Sequence, residues 1–277
     1  MAVLRRTLWL GLVVFTGLLG CGGLYEDNPL YEGSGTEEDT QTETETGPGT
    51  TGGPEGMVSD GEQPPGFWID AREISVADYA SFLLAEAVAP PPGQPRCAFK
   101  TDYTPGEWAM QESSPQRPIV HVDWCDAYAY CAWADKRLCA GNPTNPFAHK
   151  ADENEWFQAC SNEVFNNYPY ATDYDPVACN GAEKGFGEPI SVGALPGCEG
   201  GFTGLFDMSG NVWEWTGACD VEVEMDEEVE LCARRGGSYF SDETLLQCDA
   251  HAEVAPTQRE AYVGFRCCAD PEPSEGS

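Results

Sequence analysis

Positive charge is scarce in this chain. Its 14 Lys plus Arg face 47 Asp plus Glu, a net charge of -33. With no basic surface to release phosphate counterions, nucleic acid is a poor partner. Anionic lipid headgroups would be repelled for the same reason. Histidine is nearly absent too. His121, His149 and His251 are scattered, and isolated imidazoles do not build a non-haem iron site. No Cys-x-x-Cys pair occurs, which argues against a zinc ribbon or a thioredoxin-type redox centre. A Gly-rich phosphate loop is also missing.

What is present begins with an export signal over residues 1–21. Arg5 and Arg6 precede an apolar run, Leu8 to Leu19, of 12 residues. That is too short to cross ~30 Å of hydrocarbon as a helix. Leu18-Leu19-Gly20-Cys21 looks like a bacterial lipobox, which would make Cys21 the lipidated N-terminus of the mature chain. An ordinary signal peptide or an uncleaved anchor is the alternative. Gly22 in place of Asp resembles outer-membrane sorting in diderm bacteria. Contact with a membrane would then run through the lipid anchor alone.

Residues 22–63 are an acidic Thr/Glu/Gly/Pro linker, and no Lys or Arg occurs between Gly22 and Gly66. Such a stretch buries too little apolar surface to offset its ordering entropy. As a flexible tether it would average roughly 35–40 Å end to end. A folded domain is expected over 64–270, with a tail at 271–277. The chain is long enough for one such domain with a substantial core.

Three helices are legible in that domain. Ser75 caps a run that puts Val76, Tyr79, Phe82 and Leu83 on one face. Asp123 caps a second run, with Trp124, Ala127, Tyr128, Cys131 and Ala132 at helical spacing. Asp152 with Glu155 predicts a capping-box start for a third, carrying Trp156, Phe157 and Cys160. Strands are expected at Ile119–Val122 and Ala261–Phe265. Of 13 cysteines, setting Cys21 aside leaves an even number, which in an exported chain reads as a disulfide framework. Cys179–Cys198 and Cys219–Cys232 are expected as local bridges.

Three motifs follow one another: Gly204-Leu205-Phe206-Asp207-Met208-Ser209-Gly210-Asn211-Val212-Trp213-Glu214-Trp215, then Arg235-Gly236-Gly237-Ser238-Tyr239, then Gly264-Phe265-Arg266-Cys267. In that order and spacing they resemble the sulfatase-modifying-factor family, the formylglycine-generating enzymes and their relatives. Phe67-Trp68-Ile69-Asp70 and the block from Pro118 to Trp133 extend the likeness. The resemblance implies an α+β fold of low regular secondary structure, related to C-type lectins and rich in disulfides.

It also implies site residues. The carboxylates of Asp207 and Glu214 and the carbonyls of Gly210 and Val212 match the family's ligands for a structural calcium ion. Calcium takes six to eight hard oxygens. Asp207 and Glu214 as turn caps without metal is the alternative. A second family calcium site maps weakly to Asn180 and Gly181. Cys131–Cys267 and Cys160–Cys248 match the family's two structural disulfides. Trp213 and Trp215 are read as core rather than ligand-stacking side chains.

The family's oxidases carry two Cu(I)-binding thiols after the Gly-Gly-Ser-aromatic motif. Here Ser241 stands at the first position and the segment up to Cys248 is short. A hydroxyl does not replace a thiolate for a soft ion, so copper is not expected, and no catalytic residue is assigned. The expectation is therefore a lipid-anchored, non-catalytic module that recognises a protein, peptide or glycan at the cell surface. The alternative is an oxidase converting a sulfatase cysteine to formylglycine with O2.

Overall fold

In the computed structural model, residues 53–271 are described apart from 63–64, 86–93, 99, 143, 146, 148–152, 163–164 and 225–226, and without the side chains of 222–227. Cys21, residues 1–21, most of the 22–63 linker and Asp152 lie outside the described residues.

Two four-stranded sheets organise the domain. One has the order β1 (Met57–Val58), β2 (Trp68–Asp70), β8 (Cys267–Ala269), β3 (Arg137–Leu138), all antiparallel. The other has the order β6 (His251–Val254), β5 (Glu227–Arg235), β4 (Trp213–Glu224), β7 (Val263–Phe265). There β4 and β5 form a long antiparallel hairpin, and β7 runs parallel to β4. Because β1 joins the first sheet, folded structure begins before residue 64, inside the expected linker.

Helix α1 (Val76–Leu84) starts at a full capping box. Asp78 N donates to Ser75 Oγ at 3.2 Å, and Ser75 N donates to Asp78 Oδ2 at 3.1 Å. After a short α2 (Trp108–Gln111), helix α3 (Trp124–Trp133) repeats the device with Asp123 and Asp126. Tyr79 and Phe82 from α1 then stack against Tyr130 of α3 and Phe265 of β7, with ring centroids 5.2–6.3 Å apart. Such edge and offset contacts add about 0.5–1.5 kcal/mol per pair beyond burial.

Two sequence expectations are corrected. Helix α4 (Glu155–Ser161) is capped by Asn154, whose Oδ1 accepts from Phe157 N at 2.9 Å, rather than by Asp152. Ile119–Val122 is not a strand, because His121 has φ 55°. The alternating apolar residues there are buried by irregular backbone. Ile119 N donates to Ile74 O at 2.9 Å and His121 N to Glu260 O at 2.9 Å.

Six disulfides staple this framework: Cys97–Cys125, Cys131–Cys267, Cys139–Cys268, Cys160–Cys248, Cys179–Cys198 and Cys219–Cys232. Adjacent Cys267 and Cys268 diverge, one to α3 and the other to Cys139, just past β3. Two of the bridges join residues 136 and 129 positions apart. Chain-entropy estimates give each of these about 5 kcal/mol.

Candidate functional site

Two of the three sequence motifs meet at Arg266, which lies between β7 and β8 where the chain passes from one sheet to the other, and Arg235 of the third stands opposite Glu214 across β4 and β5. It is fully buried, as is Glu214 of β4. Arg266 Nε donates to Glu214 Oε2 at 2.7 Å and Nη2 to Glu214 Oε1 at 2.6 Å. Trp156 of α4 adds its Nε1–H to Glu214 Oε2 at 2.7 Å. The remaining guanidinium donors go to Asp70 O at 3.0 Å and Phe206 O at 2.8 Å. One guanidinium thus ties together both sheets, α4 and the 204–214 loop. Bidentate pairing is what makes a buried pair of this kind tolerable.

Two more buried acids crowd this centre. Glu73 accepts from Asn211 Nδ2 at 2.6 Å and from Val212 N at 3.2 Å. Burial holds its carboxyl well above the usual range, and the charges of Asp207 and Glu214 push the same way. Asp207, at φ 59°, accepts from Gly193 N at 2.5 Å. Burial pushes its carboxyl up to about 6. Three buried carboxylic acids therefore surround one cation.

A calcium ion, as the resemblance implies, would meet a mixed donor set here. The excess negative charge favours a divalent cation, and buried Asn180 Oδ1 has no hydrogen-bond partner. Asn180 is packed against the loop, since Asn211 N donates to Asn180 O at 2.8 Å. A Cβ on Gly210 (φ 78°) would fall 2.3 Å from that same oxygen. On the other side, both Glu214 oxygens already serve Arg266 and Trp156. Among the described residues no three Asp, Glu, His or Cys side chains are grouped to hold a metal. Sequence reasoning missed Glu73. Its signal was a lone acid between β2 and the Ser75 cap.

Trp213 and Trp215 are both buried. Trp215 Nε1 donates to Val122 O at 3.0 Å, and Arg234 lies 5.5 Å from the Trp213 ring centroid.

The loop from Ser238 to Cys248 follows β5. Gly236 (φ 92°) and Gly237 (φ 71°) turn it at left-handed backbone. Ser238 N donates to Ser241 Oγ at 2.9 Å, and the two hydroxyls lie 3.4 Å apart, both buried. Among the described residues neither hydroxyl contacts an imidazole. Cys248, at the end of the loop, is bonded to Cys160. Outward, Phe240 is 50% exposed and Leu245 42%. Phe240 packs edge-on against Tyr239 and Tyr262, at 5.1 and 4.7 Å between centroids. On the loop's other flank Tyr168 donates its OH to Glu243 O at 3.1 Å, and Tyr170 and Tyr174 pack on Tyr168. The loop thus presents an exposed aromatic ring on one side, rests on buried Tyr168 on the other, and carries no free thiol.

A family model for the sulfatase-modifying factor enzyme 1-like domain matches residues 34–271. The chain belongs to that family. The formylglycine-generating enzyme of Mus musculus is 27% identical over 277 residues, covering 78% of this chain and 70% of that protein. The Bos taurus enzyme is 30% identical, covering 58% of this chain and 46% of that one. A second Bos taurus relative, named inactive C-alpha-formylglycine-generating enzyme 2, is 33% identical, covering 55% and 50%. The chain thus spans between about half and two thirds of these relatives. Among solved structures, PvdO from Pseudomonas aeruginosa superposes with TM-score 0.52 at 21% identity, covering 74% of this chain and 80% of that one. CarF gives 0.51 at 17% identity, covering 74% and 87%. The fold is that of the formylglycine-generating-enzyme-like domains.

Proposed function

We propose that this chain is an exported, lipid-anchored recognition module of the bacterial envelope that has lost the oxidase chemistry of its family. The observation that carries this is the state of its sulfur. All twelve cysteines from Cys97 to Cys268 are paired in disulfides. The loop between Ser238 and Gln247 contains no cysteine. A Cu(I) ion needs soft thiolate ligands, and here Ser241 spends its hydroxyl on Ser238. What the loop offers instead is Phe240, Leu245 and the tyrosines beside it. Of these, the aromatic rings are of the kind that anchors protein and peptide interfaces. A relative bearing the name of an inactive formylglycine-generating enzyme supports the reading. The acidic composition between residues 22 and 63 suits a spacer between a lipidated Cys21 and the domain.

The competing reading is an active oxidase acting on sulfatase cysteines. Incubating the purified chain with Cu(I), O2 and a sulfatase-type cysteine peptide decides between them. No change in peptide mass is expected. Conversion of its thiol to an aldehyde would overturn the recognition reading.

A calcium ion held by Asp207, Glu214 and the carbonyls of Gly210 and Val212 is part of the same proposal. It requires Glu214 to share its oxygens between the ion and Arg266. The ion would offset the surplus of buried negative charge and act structurally.

A further inference from the structure

Strand β2, the turn after it and the start of α1 wall a cleft of about 540 Å³. That volume lies within the range of small-molecule sites. Most carboxylates lining it are already engaged. Asp70 holds Lys136 at 2.5 Å and accepts from Cys267 N at 2.9 Å. Glu73 is committed to Asn211 and Val212, and one Asp78 oxygen caps α1 through Ser75.

Arg72 lines the same cleft with its side chain exposed, and its charge acts on Asp207 with no hydrogen bond between them. Among the described residues it has no hydrogen-bond or ion-pair partner, whereas Arg96, Arg117, Arg137, Arg234, Arg259 and Arg266 all form ion pairs. Its position is nevertheless fixed. Ala71 N donates to Gly56 O, and Ala71 O accepts from Phe206 N, both at 2.9 Å. The guanidinium lies 5.7 Å from the Phe206 ring centroid. Gly193, at φ 67°, leaves the space the side chain fills, since a Cβ there would stand 2.5 Å from Arg72 Nε. A guanidinium stacked on an aromatic ring with its hydrogen-bond donors unspent is suited to take a carboxylate in bidentate fashion.

A simple anion would be repelled by a chain of net charge -33. A ligand that brings its own positive charge would not, and the exposed acids Glu55 and Asp78 line the same cleft. We propose that this cleft binds a small zwitterion of amino-acid type, with its carboxylate on Arg72 and its cationic end toward Glu55 and Asp78. The site is distinct from the aromatic loop and does not rest on the recognition reading. Its ligand is either a free basic amino acid or the C-terminal residue of a peptide.

Calorimetric titration of the full-length chain distinguishes these. The probes are L-lysine, the tripeptide Ala-Ala-Lys with a free carboxylate, and the same tripeptide as its C-terminal amide. Saturable binding of a carboxylate probe is expected, weakened about tenfold or more in the amide and in Arg72→Ala. Binding of L-lysine identifies a free amino acid. Binding of the tripeptide alone identifies a peptide end. Gly193→Ala should weaken binding in the same direction by displacing Arg72, and Phe240→Ala should leave it unchanged. Absence of binding by every probe up to ~10 mM would overturn the proposal. So would equal affinity of Arg72→Ala, at an unchanged melting temperature.

Discussion

Around Arg266 the paired charges are fully buried and hydrogen-bonded, whereas the loop from Ser238 to Cys248 puts an aromatic and an aliphatic side chain into solvent. Both regions carry family motifs, and both are held by the same disulfide framework. The first is assembled from residues far apart in sequence, Asp70, Trp156, Glu214 and Arg266, so that changing one would strand the others. The second is a surface segment tied down by Cys248 and two glycine turns. Its outward side chains can change with little cost to the fold. A family can therefore keep its scaffold while the chemistry on the loop is lost.

The sharpest way to break this comparison is to remove Arg266. Arg266→Met would leave Glu214, Glu73 and Asp207 buried around an apolar side chain. Uncompensated buried charge of this kind costs roughly 3–5 kcal/mol. We expect a large drop in the midpoint of urea unfolding, or failure to obtain folded protein. A midpoint close to wild type would mean that the pair is not what holds the two sheets together.

Next in size is the Cys131–Cys267 bridge, which fixes β8 to α3 beside Arg266. Replacing both cysteines by serine should cost about 2–5 kcal/mol, read from the same unfolding curve. The Cys179–Cys198 bridge closes a loop of only 19 residues, so Cys179→Ser/Cys198→Ser should cost less.

A comparable effect is expected from pH. Asp126 on α3 faces Asp123, Lys100 and Arg259, with Tyr79 and Tyr103 close by. Burial raises its carboxyl to about 7, with the charge of Asp123 adding to the shift. The folded state then binds a proton that the unfolded chain releases near 4. Its contribution to stability is present below that pH and is lost as pH rises through about 7. The slope is at most about 1.4 kcal/mol per pH unit. Asp126→Asn should flatten the dependence of the melting temperature between pH 4 and 7. An unchanged profile would show that Lys100 and Arg259 keep Asp126 ionised throughout.

The parts of the fold that were legible in the sequence were those governed by local rules. Ser75 and Asp123 announced α1 and α3 because a cap and an apolar face lie within a few residues of each other. Asn154 was missed in favour of Asp152 because both are good caps and only the tertiary path of the chain chooses. Ile119–Val122 alternates like a strand, yet the left-handed turn at His121 breaks it. The long β4–β5 hairpin was hidden by its acidic composition, since Asp and Glu are poor strand residues. At the centre, Glu214 was legible through the family motif. Its partnership with Arg266 was not, because no local pattern joins residues 52 positions apart. That partnership is also what would compete with a calcium ion for Glu214. If the ion is present and structural, EDTA should lower the melting temperature by several degrees, as for a loss of about 1–2 kcal/mol. No shift would leave Arg266 and Arg72 as the cations that balance these acids.

The smallest expected effect on stability falls on the loop. Leu245→Ser removes an exposed side chain and should change stability by no more than about 0.5 kcal/mol, whereas Phe240→Ser also gives up its edge contacts with Tyr239 and Tyr262, about 0.5–1.5 kcal/mol each. If the loop is the recognition surface, the same variants should abolish capture of a partner that the wild-type domain retains. Anchors of this type carry roughly 2 kcal/mol or more apiece in protein interfaces. The double readout separates the two regions. A loop variant that unfolds the domain would place Phe240 with the structural centre. A variant that neither unfolds it nor weakens binding would remove the loop from the recognition surface altogether.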